Sequence, residues 1–349
     1  MKNTFIKISR REIGECRPVY IIAEAGVNHN GRLDMALHLV EKAKEAGADA
    51  VKFQTFKTEK ITTMHAASAK YQDEKTGRQF DMLKRLELSY NDFRKLSAFC
   101  KKKNIEFLSS AFDEGSMDFL IELGVKALKI GSGEITNLPL IMHAAKSGLP
   151  IILSTGMSDL FEIRYAVNIF KVARNPKLCL LHCVSQYPAP MDSLNLKAIV
   201  TLKKKFKVPT GFSDHSVGYT AAVAATALGA SVIEKHFTLD KAMEGPDHKA
   251  SSSPDELKEY ITAVRETEKA LGSGEKKIAG AEMNVKDLVR KSIVAATAIP
   301  KGALIIPEML TTKRPGTGIQ PCEIPKLIGA AAKQDIAADD IIEWRMIQK

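Results

Sequence analysis

Short runs of β-branched and apolar residues recur along the chain at Val19–Glu24, Ala50–Thr55, Glu106–Phe112, Ala127–Ile130, Ile151–Thr155, Leu178–Cys183, Thr210–His215 and Ser231–Phe237. Each has the length of a strand rather than of a helix. Between them lie segments with apolar residues at three-and-four spacing, of which LDMALHLVEKAKEA (Leu33–Ala46) is the clearest. That helix is expected to stop at Gly47, since glycine readily takes the left-handed position after a helix end. Eight strand–helix repeats over about 270 residues have the size of a (β/α)8 TIM barrel. A doubly wound sheet is the structural alternative. It normally needs fewer strands and a glycine-rich first turn, and neither GxGxxG nor GxxxxGK followed by Ser or Thr occurs.

After Leu271 the pattern changes, which places the barrel at residues 1–271. The stretch GSGEKKIAGAEMNVKD, residues 272–287, is polar and glycine-bearing and reads as a linker. Residues 288–349 contain the β-like pieces SIVAATAI and ALIIPEMLTTKR among prolines 300, 307, 315, 321 and 325. Roughly sixty residues suffice for a small, marginal domain that gains from docking on a larger one.

Composition removes several classes. Of 349 residues 45% are hydrophobic, which supports a large core, and no run of about 18 apolar residues is available for a membrane helix. The N-terminus MKNTFIKISRREIGE lacks the apolar region of a secretory signal. Five scattered cysteines (16, 100, 179, 183 and 322) with no CxxC pair point to reduced thiols and a cytoplasmic setting. The net charge of +10 includes Lys101–Lys103 and Lys203–Lys205, each near an expected helix end where cations suit the dipole. With one tryptophan and no aromatic–basic interleaving, nucleic acid is not an expected partner. A positive field suits an anionic small substrate.

Active sites of such barrels lie at the C-terminal strand ends, and polar residues gather there at nearly every strand. They are Glu24 followed by Asn28-His29-Asn30, Lys52 with Gln54, Ser109 with Ser110, Lys129 followed by Ser132 and Glu134, Ser154, His182 followed by Tyr187, Ser213-Asp214-His215, and Glu234 with His236. Side chains two apart on a strand share a face. Lys52/Gln54, Ser213/His215 and Glu234/His236 therefore each aim both members at the mouth, where a buried strand would otherwise be apolar. His215 and His236 end adjacent strands, so they either converge on a divalent metal or serve as hydrogen-bonded core histidines. Lys52, Lys129, Ser154 and Ser213 offer two cations and two hydroxyls to a phosphate or carboxylate, unless the lysines simply pair with Glu24 and Glu134. Cys183 is a possible ligand or nucleophile, or a small buried apolar residue. His29, His182 and His248 sit in suggestive loops without a forced role.

In order, the segments IIAEAGVNHNG, AGADAVKFQTF, LSSAFDEGS, LKIGSGEITNLPLI, IILSTGMSD, LLHCVSQYPAP, GFSDHSVGY and VIEKHFTLDKAMEGPDHKAS resemble those of the sialic acid synthase family. The tail motif TTKRPGTGI resembles the antifreeze-like (SAF, β-clip) domain of that family. The resemblance implies a transferase that condenses phosphoenolpyruvate with N-acetylmannosamine and water, giving N-acetylneuraminate and phosphate by C–O cleavage. Related members that make legionaminate or pseudaminate from diacetamido-trideoxyhexoses are the second reading.

By motif, His215 and His236 would hold a divalent metal, Mn²⁺ first, with Mg²⁺ or Co²⁺ also open. Lys52, Ser110, Lys129, Ser132, Ser154 and Ser213 would hold phosphoenolpyruvate. Gln54, Glu134, Tyr187 and Asp247 would meet the sugar. Glu24 or Glu134 would act as acid/base at the reacting carbons. Arg314 would reach the N-acetyl group in the partner subunit's site of a domain-swapped homodimer. A metal-dependent aldolase on the same barrel is the nearest rival and would release no phosphate. An ice-binding module would leave the inward polar residues unexplained.

Overall fold

A computed structural model describes residues 5–66 and 78–348. The chain divides into two compact units, Met1–Gly272 and Ser273–Lys349.

The first unit opens with an antiparallel hairpin, β1 (Phe5–Ile8) and β2 (Arg11–Gly14). Eight parallel strands follow: β3 (Tyr20–Gly26), β4 (Ala50–Thr55), β5 (Glu106–Ala111), β6 (Leu128–Ile130), β7 (Ile151–Ser154), β8 (Leu178–Cys183), β9 (Thr210–Asp214) and β10 (Val232–His236). They close in chain order, with β10 pairing β3. The expected strands are all present, with ends that move by at most a few residues. The helix Leu33–Ala46 forms as expected, and Gly47 ends it at φ 91°. Lys101–Lys103 and Lys203–Lys205 fall in the last turns of the helices Tyr90–Lys103 and Lys197–Phe206, as the dipole argument requires.

Strand alternation sorts the side chains into three environments. Outward residues such as Ile21, Val51, Phe53, Leu153 and Phe212 pack with the helices in the main core. Inward residues near the strand starts, among them Tyr20, Ile22, Leu108, Ile152, Leu181 and Val232, form a separate apolar plug. Ile6, Ile8 and Ile13 of the hairpin join this plug and close the barrel floor. The sequence pattern had offered no element before Val19, because four-residue strands show too little alternation to be recognised. Inward residues near the strand ends are polar, and they form the site described below.

Asp49 ties the barrel rim at its floor. It accepts the Ile21 N–H at 2.9 Å and pairs with Arg265 at 2.7 Å and Arg11 at 2.9 Å, linking a strand, the last barrel helix and the hairpin. That helix, Pro254–Leu271, begins with a reciprocal Ser253–Glu256 capping box and proline at its first turn.

The second unit has its own core, including Ile293, Ile299, Ile305, Leu327, Ile336 and Ile342. Its strands β11 (Ser292–Ala295) and β12 (Leu310–Lys313) pair antiparallel, and isolated bridges such as Val294–Ile341 and Ile299–Ile336 extend the irregular β structure. The stretch expected as a linker, 272–287, is not wholly irregular, since Met283–Val289 is helical. Lys286 and four apolar residues within seven positions support a short helix that a polar, glycine-bearing flank conceals. No helix among the described residues is long and apolar enough to cross a membrane.

One glycine is dictated by packing inside the barrel. A Cβ on Gly211 would lie 2.3 Å from the Val232 carbonyl oxygen and 2.7 Å from Leu181 Cδ2, within the apolar plug. Gly211→Ala is expected to cost about 1–3 kcal/mol through overpacking. A thermal melt should show the midpoint lowered by several degrees, whereas an unchanged midpoint would mean the plug yields freely.

Candidate active site

The polar residues of the strand ends converge inside the barrel mouth. Lys52 Nζ, on β4, lies 2.6 Å from Glu24 Oε2 and 3.7 Å from Glu234 Oε2, and donates to Ser110 Oγ at 3.1 Å. Lys129, on β6, donates to Ser154 Oγ at 2.7 Å and to the Ile130 carbonyl at 3.2 Å, and lies 3.8 Å from Glu234 Oε1. Ser213 Oγ donates to the same Glu234 oxygen at 2.9 Å. Gln54 Nε2 reaches Glu24 Oε1 at 3.4 Å. Both lysines and both glutamates are almost wholly excluded from solvent.

Four charges so placed can coexist only by compensation. Burial, reinforced by the nearby Glu234 charge, raises Glu24 to about 7 even though Lys52 opposes the shift. Burial acts on Glu234 in the same sense, yet Lys129 and Lys52 together with the Ser213 hydrogen bond outweigh it and hold its carboxyl well below the usual range. Glu234 therefore stays ionised, while Glu24 exchanges its proton most readily. Lys52 is disfavoured by burial, but two carboxylates more than restore its charge. Lys129 is lowered, because burial exceeds what Glu234 returns.

His215 and His236 face the same space, with ring centroids 5.7 Å apart and planes tilted by 58°. His215 Nδ1 meets the Val184 carbonyl at 2.6 Å and must donate to it, which leaves Nε2 as the lone-pair nitrogen of the neutral ring. Burial lowers the pKa of both imidazoles, and His215 lowers that of His236 further. His236 Nδ1 and Glu234 Oε2 are buried without a hydrogen-bond partner. Two neutral imidazoles with an orphaned nitrogen beside an ionised carboxylate fit a divalent cation whose remaining ligands are oxygens. No cluster of three or more His, Cys, Asp or Glu side chains arranged for a metal occurs among the described residues. Tyr187 covers this pair, its ring 4.2 Å from His215 and 5.7 Å from His236.

The remaining expected residues have individual placements. Ser132 Oγ accepts the Gly156 N–H at 2.9 Å and lies 3.1 Å from Cys183 Sγ, so it is engaged at the edge of the lysine–serine cluster. Glu134 accepts from Asn137 Nδ2 at 2.7 Å in the turn after β6. Among the described residues it forms no salt bridge with either buried lysine, whereas Glu24 pairs with Lys52. Asp247 is raised to about 6 by burial, with Lys52 opposing the shift. Arg314 is exposed and belongs to the second unit.

Glu234 is the residue the sequence reading left without a role, although it contacts Lys52, Lys129 and Ser213 at once. Its two-residue spacing from His236 was the available signal. His182 points out of the barrel, and its Nε2 meets the Leu194 carbonyl at 2.6 Å. His248 bonds Thr238 Oγ1 at 2.7 Å, and His29 Nδ1 accepts the Gly31 N–H. A separate cavity of about 900 Å³ lies at the barrel floor, lined by residues that include Arg10, Arg11 and Glu106. Its Lys44 and Lys101 are in last turns of helices, where they answer the dipoles.

Comparison with known proteins agrees with the barrel fold and the C-terminal domain. The NeuB family model matches residues 39–276, and the SAF domain model matches residues 290–348. The chain is similar to an N,N'-diacetyllegionaminic acid synthase of Legionella pneumophila, 47% identical over 97% of this chain and 99% of the relative. It is also similar to an N-acetylneuraminate-9-phosphate synthase of Homo sapiens, 38% identical over 97% of this chain and 95% of the relative. A solved N-acetylneuraminic acid synthetase from Leptospira borgpetersenii, in complex with citrate, matches with a TM-score of 0.72 and 39% identity, covering 81% of this chain and 95% of that one. The family models together span most of the sequence and the Legionella relative nearly all of it, so this chain belongs to the NeuB family and carries a SAF domain at its C-terminal end.

Proposed function

We propose that this protein condenses phosphoenolpyruvate with an N-acetylated aldehyde sugar and water, releasing phosphate and a nine-carbon sugar acid. The observation that carries this reading is the buried Lys52–Lys129 pair, with Ser110, Ser154 and Ser213, beside two neutral histidines. Two cations and three hydroxyls suit a small ligand bearing both a carboxylate and a phosphate. They hold it with its enol carbon toward the aldehyde, a gain from positioning more than from chemistry.

The enol carbon attacks the aldehyde carbon as the C=O π bond breaks, protonated Glu24 gives its proton to the aldehyde oxygen, and the cationic C2 that results is faced by Glu24 and Glu234. Water adds to C2, and Glu24 takes its proton. The tetrahedral centre then collapses to a ketone: the bond from C2 to the phosphate-bearing oxygen breaks, and the C2 hydroxyl passes its proton to the departing phosphate. A divalent cation held by His215 and His236 would polarise the aldehyde oxygen as a Lewis acid. Gln54, Tyr187, Glu134 and Asp247 remain the residues proposed to meet the sugar.

Two acceptors are supported about equally. The motif resemblance and the Leptospira structure favour N-acetylmannosamine and N-acetylneuraminate. The higher identity to the Legionella enzyme favours a 2,4-diacetamido-trideoxyhexose and a legionaminate product. Mass spectrometry of products from phosphoenolpyruvate and both sugars, run in ¹⁸O-water, tests the reaction and its acceptor. One sugar acid should form with label at C2 and none in phosphate; label in phosphate, or product from pyruvate alone, would overturn the reading.

Metal dependence follows from the histidine pair. Chelation should abolish turnover, and Mn²⁺ should restore it. Lewis-acid stabilisation of several kcal/mol corresponds to roughly a hundredfold or more in rate. His236→Ala should lose about that much in kcat together with its bound metal, and full turnover by stripped enzyme would remove the metal from the reaction.

The resemblance also carries the reading of a homodimer in which Arg314 serves the partner's sugar site. Inactive His236→Ala and Arg314→Ala chains, dissociated and reassociated together, should then recover about a quarter of wild-type sites, since half the dimers are mixed and each has one intact site. Baseline activity in verified heterodimers would exclude an arginine acting across subunits.

A further inference from the structure

The two histidine-bearing strand ends are joined on their outer side by a second set of buried charges. Strand alternation that turns Ser213, His215, Glu234 and His236 inward turns Asp214 and Lys235 outward, toward the helix Pro254–Leu271. Asp214 and Lys235 are register partners on β9 and β10, and both are buried, as is Tyr260 of that helix. Asp214 Oδ1 accepts from the Ser216 N–H at 2.8 Å and from Ser216 Oγ at 2.6 Å. Its Oδ2 accepts from Tyr260 OH at 2.9 Å and lies 3.4 Å from Lys235 Nζ. Lys235 Nζ donates in turn to the Ser216 carbonyl and sits 5.3 Å from the centre of the Tyr260 ring.

Ser216 is thus held through its N–H, its hydroxyl and its carbonyl, and it immediately follows His215. Lys235, which completes the hold, immediately precedes His236. An apolar trio of similar volume would fill this layer at no desolvation cost, so packing alone does not call for a lysine and an aspartate here. What the charged set adds is direction: the Lys235–Ser216 bond fixes one strand end relative to the other, the Tyr260–Asp214 bond ties the helix to β9, and the two Asp214–Ser216 bonds fix the turn that carries His215.

We propose that Asp214, Lys235 and Tyr260 are positioning residues that set the separation and tilt of His215 and His236, and thereby the affinity for the divalent ion. The inference rests on the two-histidine reading given above. Groups that orient metal ligands typically change metal affinity by about 10–100-fold when removed.

The test is direct Mn²⁺ binding to chelator-stripped protein, read by the electron paramagnetic resonance signal of free Mn²⁺, with thermal melts of the metal-free proteins alongside. Tyr260→Phe keeps the ring and deletes one hydroxyl; Lys235→Met removes the cation at similar length; His215→Ala serves as the reference. Tyr260→Phe should raise the Mn²⁺ dissociation constant about tenfold and Lys235→Met more, within the range above. A purely structural role would lower the melting midpoint while folded protein bound Mn²⁺ as the wild type does, and that result would overturn the inference. Should Lys235→Met fail to fold, Tyr260→Phe alone decides. Wild-type affinity in the network variants with loss in His215→Ala overturns the positioning role only. Wild-type affinity in His215→Ala overturns the two-histidine site and the positioning role with it.

Discussion

Placing two lysines and two glutamates inside a barrel, away from water, is the constraint around which this molecule is organised. Each ion loses several kcal/mol of hydration on burial, and removing one partner from such a cluster typically costs about 3–5 kcal/mol more. Lys52 and Lys129 are therefore tolerable only because Glu24, Glu234 and the serine hydroxyls stand opposite them. The same compensation sets the chemistry. Burial raises Glu24 to about 7, whereas Lys129 and Lys52 outweigh burial at Glu234 and keep it ionised.

The apolar plug below the cluster makes this possible. Tyr20, Ile22, Leu108, Ile152, Leu181 and Val232 fill the lower barrel, and the hairpin isoleucines seal its floor. Water therefore reaches the charges only from the mouth. The lower dielectric strengthens the pairing and raises the penalty for any unpaired charge. Gly211 belongs to the same arrangement, because a larger residue there would push against the carbonyl of Val232 on the neighbouring strand. That strand also carries Glu234 and His236.

Outside the barrel wall the pattern repeats on a smaller scale. Asp214, Lys235 and Tyr260 form a neutralised, hydrogen-bonded set between β9, β10 and the last barrel helix. Charged residues thus occupy both faces of these two strands, which explains why their sequences look less hydrophobic than those of buried parallel strands usually do. The inner charges line the barrel mouth, whereas the outer ones bond Ser216, the residue that follows His215.

Much of this was legible in the amino-acid sequence. The alternation of strand and helix, the stop at Gly47 and the polar strand ends are local features, and a period of two or of 3.6 residues can be read without knowing what packs where. The two-residue pairs even identified which residues would share an interior face. What the sequence could not reveal was which faces meet. Glu234 became central only because barrel closure sets β10 across from Lys52 and Lys129. His182, one residue from the inward Cys183, turned outward by the same alternation and met a carbonyl instead of a ligand. The hairpin plug and the Asp214–Lys235–Tyr260 set depend on contacts between distant segments, and they carry no periodic signature of their own. Local pattern determined the elements and the residue types available for chemistry. Closure of the barrel decided which charges neutralise one another, because compensation depends on distance in space rather than on separation along the chain.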